Sequence, residues 1–107
     1  MTAHPTPNAT PASSITFINV FEIDTDHAEA FITRWSERAA LMSTKPGFRD
    51  SRLHRARLSD TRFQLINVSH WDTREGWDAA SARDDRTTPV TSSTGLYDVV
   101  VEFSPQR

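Results

Sequence analysis

Asn19, Asn67 and Trp71 are the residues in this chain whose types and spacing best suit chemistry. Asn19 sits in Ile-Thr-Phe-Ile-Asn-Val-Phe-Glu-Ile and Asn67 in Leu-Ile-Asn-Val-Ser-His-Trp, segments whose β-branched and aromatic residues read as strands. Asparagine is depleted in strands, and burying its amide without partners costs roughly 1–3 kcal/mol. Such an amide offers N–H donors that can hold an oxygen on which negative charge develops. Side chains alternate along a strand, so Asn67 and Trp71 share a face, at most about 13 Å apart along it. That span suits a polycyclic ligand. The alternative is a pair of amides that satisfy nearby backbone or a buried water.

Other chemistries are poorly served. The 107 residues include no cysteine, which removes disulfides, thiolate nucleophiles, zinc knuckles and iron–sulfur clusters. Of the four histidines, His4 lies in a Pro-rich start and His27 at a helix start, while His54 and His70 show no metal-ligand spacing. No metal site is expected. The three glycines form no phosphate-binding loop, so no nucleotide cofactor is expected, and no nucleophile elbow is present. A net charge of −2 offers no field for nucleic acid or an anionic bilayer, and no apolar run is long enough to span a membrane.

These side chains need elements to position them. Residues 1–14 read as a disordered tail and residues 15–104 as one domain, without a leader pattern, so the expected compartment is the cytoplasm. A first strand is expected over Ile15–Ile23. Asp26 and Glu29 suggest a capping box for a helix whose stripe is Ala28, Phe31, Ile32, Trp35, Ala39 and Met42, with Glu29, Arg34, Glu37 and Arg38 in water. Pro46-Gly47 ends it. A strand over Phe48–Leu58, a short connection at Ser59-Asp60-Thr61 and a strand over Arg62–Trp71 follow. Asp72 and Glu75 suggest a second box, for a short helix containing Trp77, Ala79, Ala80 and Ala82 that frays by Asp85. A loop over Asp84–Thr94 then precedes a last strand over Leu96–Phe103.

The order β-α-β-β-α-β is the split βαβ pattern of a ferredoxin-like α+β sandwich. Both helices must cover one face, which leaves Ile18, Val20, Ile66, Val68 and Val100 bare on the other. A second copy packed face to face would cover them and form a dimeric α+β barrel. On the helix side, Phe17, Phe21, Phe31, Trp35, Leu65 and Trp77 are the expected substrate-binding wall, although aromatic residues at helical spacing also serve simply as core.

Several stretches carry a family resemblance. Ile-Asn-Val-Phe-Glu-Ile at residues 18–23, Trp35 in the first helix, Lys45-Pro46-Gly47-Phe48, Leu53-His54-Arg55 and Asn67-x-x-x-Trp71 together resemble the antibiotic biosynthesis monooxygenases. The likeness spans Ile15–Ala80 and is greatest to small cofactor-independent oxygenases of aromatic polyketide pathways, which turn anthrone-type phenols into quinones with O2. The resemblance implies a homodimer and a small aromatic substrate, with Asn19, Asn67 and Trp71 as the catalytic set and no cofactor. A tyrosine found in one such enzyme falls near Trp77, so a phenolic proton donor is missing. Haem-degrading relatives use an axial histidine in or after the second helix, and no histidine follows His70. Two other readings stay open: an aromatic polyketide cyclase using His54, His70 or Arg83 as acid or base, and a non-catalytic ligand-binding dimer.

Overall fold

The computed structural model describes residues 14–81 and 91–105. Its elements are β1 (Ile15–Glu22), α1 (Thr25–Met42), β2 (Phe48–Arg55), β3 (Leu65–Trp71), α2 (Arg74–Ser81) and β4 (Thr91–Tyr97). The strands form one antiparallel sheet in the order β2-β3-β1-β4. Each helix therefore joins strands that are not neighbours: α1 carries the chain past β3, and α2 carries it past β1. This is the interleaved pair of βαβ units of a ferredoxin-like α+β fold. No helix among the described residues is long and apolar enough to cross a membrane.

The two faces of the sheet differ in an unusual way. Along β3, Leu65, Asn67, Ser69 and Trp71 are buried, whereas Ile66, Val68 and His70 are only half-buried. The helices cover the face that carries the polar residues. Phe21, Phe31 and Leu65 form the core there, joined by Ile23, Ile32, Trp35 and Leu53, with the Phe21 and Phe31 rings 4.7 Å apart. The more apolar odd-even partner set, Ile18, Val20, Ile66 and Val68, faces away from both helices.

Several boundaries differ from the sequence reading. The N-cap of α1 is Asp24, which places His27 rather than Glu29 at the third helical position, so no capping box forms. Glu29 instead accepts a hydrogen bond from Arg55 Nη1 on β2 at 2.5 Å. In α2 the cap is Thr73, whose Oγ1 accepts the Gly76 N–H at 3.0 Å, one residue later than the expected Asp72. Ala82 and Asp85 lie outside the described residues, as do residues 1–13 of the expected tail. β2 stops at Arg55, and the connection to β3 is longer than three residues because Gln64 organises it. Buried Gln64 donates from Nε2 to the carbonyls of Leu58 and Thr61 at 3.0 and 2.6 Å.

The largest correction concerns the last strand. It is Thr91–Tyr97 rather than Leu96–Phe103, with Glu22 opposite Thr91 and Thr16 opposite Tyr97. β1 begins at Ile15, so residues after Asp98 have no neighbouring strand to pair with. Val100, expected on the bare sheet face, is outside the sheet and 90% exposed.

Gly47 is one position where only glycine fits comfortably. Its φ of 86° lies where an L side chain crowds the backbone. The turn it makes lets its carbonyl accept the Asp72 N–H at 2.7 Å, which ties the start of β2 to the end of β3. Gly47→Ala is expected to cost about 1–2 kcal/mol, lowering Tm by roughly 4–8 °C per kcal/mol in thermal unfolding. An unchanged Tm would contradict this account of the turn.

Candidate functional site

Asn19 on β1 and Asn67 on β3 are direct cross-strand partners. Both project to the helix-covered face, where they are 7% and 5% exposed. They satisfy one another: Asn67 Nδ2 donates to Asn19 Oδ1 at 2.8 Å. Ser51 on β2 completes the arrangement, its hydroxyl donating to Asn67 Oδ1 at 2.7 Å. The hydrogen bonds thus run in one direction across three strands, from Ser51 through Asn67 to Asn19. Each side-chain carbonyl is used as an acceptor, which leaves the Asn19 Nδ2 group and the second Nδ2 proton of Asn67 as uncommitted donors among the described residues. The relay meets the cost of burying two amides and fixes which end of each faces outward.

The relay forms part of the lining of a cavity of about 470 Å³, a volume typical of small-molecule sites. Asn19, Asn67 and Trp71 all line it, so the three groups singled out from sequence meet in one chamber. Phe17, Phe21, Phe31, Trp35 and Trp77 line it too. Leu65 does not: it is fully buried behind the wall, packed with Phe21 and Phe31. The aromatic walls brace each other. Trp71 takes the edge of Phe48 at 5.3 Å, and Trp77 packs on Phe17 at 5.2 Å. The buried Trp77 Nε1 has no hydrogen-bond partner among the described residues.

Some lining residues escaped the sequence reading. Ser51 shares the alternating face of β2 with Leu53, a parity visible in the sequence, but its bond to Asn67 depends on strand register. Arg34 and Arg38, one turn apart on α1, were expected in water. They are exposed, yet both border the cavity, where they are the only ionisable side chains among the described residues. Among the described residues the chamber is thus bordered by two guanidinium groups and no carboxylate, within a chain whose net charge is −2. Guanidinium groups so placed favour the ionised form of an acidic group bound beside them.

His54 and His70 lie elsewhere. His70 Nδ1 is 2.6 Å from Asp50 Oδ1, and His54 Nδ1 is 3.3 Å from the Ile66 carbonyl oxygen, both on the opposite sheet face. Arg83 lies outside the described residues. No cluster of three His, Cys, Asp or Glu side chains able to hold a metal ion occurs among the described residues. Haem iron is held by histidine in many proteins, and among the described residues no histidine borders this cavity, where Met42 supplies the one sulfur. The donor set does not fit a histidine-ligated haem.

Comparison with known proteins follows the same lines. The model of the family described as antibiotic biosynthesis monooxygenase matches residues 14–88. A candidate monooxygenase from Shewanella loihica PV-4 superposes with a TM-score of 0.77 at 27% identity, covering 84% of this chain and 97% of that one. SnoaB, a cofactor-independent oxygenase from Streptomyces nogalater, has a TM-score of 0.69 at 24% identity, covering 89% and 100%. The heme-degrader MhuD from Mycobacterium tuberculosis, solved with two hemes in its active site, has a TM-score of 0.60 at 22% identity, covering 84% and 99%. No curated protein sequence matches the chain.

Proposed function

Because the chain belongs to the antibiotic biosynthesis monooxygenase family, we propose that it is a cofactor-independent oxygenase. It acts as a homodimer on an anthrone-type polycyclic phenol, which it oxidises to the quinone with O2. The observation that carries this reading is the directional Ser51–Asn67–Asn19 relay, which ends in amide donors inside an aromatic chamber bordered by two arginines. Haem degradation, the activity of MhuD, is poorly supported by a cavity with no histidine among its described lining residues.

The chemistry draws its electrons from the substrate. Loss of a proton from the anthrone gives an enolate, with charge shared between oxygen and the reactive ring carbon. The proton leaves to water, since no carboxylate or imidazole borders the cavity among the described residues. The uncommitted N–H groups of Asn19 and Asn67 hold the enolate oxygen, and Trp71 lies flat against the rings. Electron transfer to O2 and recombination form a carbon–oxygen bond, giving a hydroperoxide at that carbon. Removal of the remaining C–H proton with cleavage of the O–O bond releases water and leaves a carbonyl. One oxygen atom ends in the quinone and one in water, and all four electrons come from the substrate.

The test is oxygen uptake by chelator-treated protein supplied with anthrone under 18O2. One O2 consumed per anthraquinone, with one labelled oxygen in the product and a rate well above autoxidation, is the expected result. No acceleration across a panel of phenolic tricycles would remove the oxygenase reading. A second measurement probes the arginines. Replacing both Arg34 and Arg38 by glutamine is expected to raise the phenol's apparent pKa in the complex, moving the acidic limb of the pH–rate profile to higher pH by about 0.5–1 unit. The shift should shrink as salt is added.

A further inference from the structure

Ser69 lies between Asn67 and Trp71 on the helix-covered face of β3, opposite Phe17 on β1 and Ser51 on β2. It is 4% exposed and lines the chamber. The relay leaves it out. Ser51 gives its proton to Asn67 Oδ1, and the Ser69 hydroxyl makes no hydrogen bond to another described residue. Trp77 Nε1 is the one side-chain polar atom among the described residues that is both sealed and unpartnered. The Ser69 hydroxyl, unpartnered but not sealed, therefore opens onto the chamber it lines.

Ser81, Ser92 and Thr94 also bring hydroxyls to the chamber, but they are half-buried or exposed, where bulk water satisfies them. Ser69 is different, because buried polar groups are normally paired and a serine has a proton to place. Alanine would pack here without that cost, so packing gives no reason for a hydroxyl. Spacing gives one. Neighbours on one strand face stand about 6.8 Å apart, twice the rise per residue, so β3 presents an amide, a hydroxyl and an indole at even steps. A fused-ring ligand whose oxygen meets the Asn67 amide and whose plane reaches Trp71 passes over Ser69 on the way. The ligand atom nearest that hydroxyl then lies across one ring from the first oxygen.

We propose that Ser69 is a second oxygen-binding group of this site, which selects ligands that carry or acquire an oxygen para to the one held by Asn19 and Asn67. The inference deepens the proposed reaction and rests on its reading of the chamber as a site for a polycyclic phenol. In that reaction the para position is the carbon that takes up O2. The enolate reduces O2 to the peroxide level as the carbon–oxygen bond forms, and the peroxide anion takes a proton from water. Ser69 keeps its own proton and donates a hydrogen bond to the oxygen bound to that carbon. It holds the same oxygen after O–O cleavage leaves it as the quinone carbonyl.

The test measures binding without O2, through quenching of the indoles that line the chamber. Anthraquinone and anthrone share a ring skeleton, but only the quinone has both para oxygens. Ser69→Ala is expected to weaken anthraquinone binding about tenfold, the loss of one hydrogen bond, and to leave anthrone within about twofold. Infrared spectra of bound anthraquinone should show a free-carbonyl band in the variant that the parent complex lacks. Tm should not fall, since the hydroxyl has no protein partner to lose. With anthrone and O2, kcat should fall about tenfold while KM stays within about twofold, because the hydrogen bond forms only once the oxygen has arrived. Equal weakening of both ligands, no weakening of either, a lowered Tm, or a free-carbonyl band already present in the parent complex would each overturn the proposal. So would a chamber that binds neither ligand. Discrimination between the ligands without oxygen uptake would sink the oxygenase reading and leave the Ser69 subsite standing.

Discussion

Asn67→Ala is expected to lower kcat for anthrone oxidation by about 10²- to 10³-fold, the usual loss when one preorganised donor to a developing oxyanion is removed. The variant deletes a donor to the substrate and also breaks the relay at its middle. Ser51 loses its acceptor and Asn19 Oδ1 loses its donor, so a stability loss of about 1–3 kcal/mol should accompany the kinetic one. Asn67→Asp separates the two effects. A carboxylate still accepts from Ser51 and fills the same volume, yet it has no proton for Asn19 Oδ1 and places negative charge where the enolate forms. Its turnover should be at least as low as that of the alanine variant, while KM for either, measured where the fold is intact, stays within a few-fold of the parent. Parent-like kcat in Asn67→Asp would show that the amide is structural only.

How much of this arrangement was readable in advance depended on whether local pattern or distant geometry decided it. The parity of β3 was readable because alternation there is strict: Asn67, Ser69 and Trp71 had to share a face whatever the register, and they are buried together. That β1 and β3 are neighbours follows from the ferredoxin-like strand order, whereas the direct pairing of Asn19 with Asn67 is set by the register between them. β4 was misplaced because Thr-Ser-Ser-Thr-Gly-Leu-Tyr has little strand propensity, whereas the valines after it have a great deal. The register is set by where β1 begins, which propensity does not report. Parity alone puts Leu65 in the wall, but Phe31 of α1 packs against it and closes the space. Helical periodicity leaves Arg34 and Arg38 in water, because charged residues on a helix are normally solvated. They are solvated, and they also border the chamber, a double role that depends on how α1 crosses the sheet. Ser51 needed both β2 parity and the β2–β3 register before its bond to Asn67 could be foreseen.

Trp71→Ala is expected to cost about 3–5 kcal/mol in denaturant unfolding, a large share of the roughly 5–15 kcal/mol that holds a domain of this size. Trp71 is 2% exposed and stands opposite Ile15 on β1 and Phe48 on β2, where three strands meet at one end of the sheet. Phe48, which stacks its edge against the indole, would lose its support as well. Trp71→Phe keeps a ring in contact with Phe48 and should cost much less, which makes it the variant for kinetics. If the indole is a flat wall for the fused rings, it binds ground state and transition state alike. Its truncation should then raise KM about tenfold while leaving kcat within a few-fold. The Asn67 variants have the opposite signature, with kcat lost and KM kept. Two residues four apart on one strand would thus divide the work, the amide acting on charge that develops during reaction and the indole on shape that is present throughout. A fall in kcat for Trp71→Phe as deep as that for Asn67→Ala would deny this division and point to the indole as a participant in the oxygen chemistry itself.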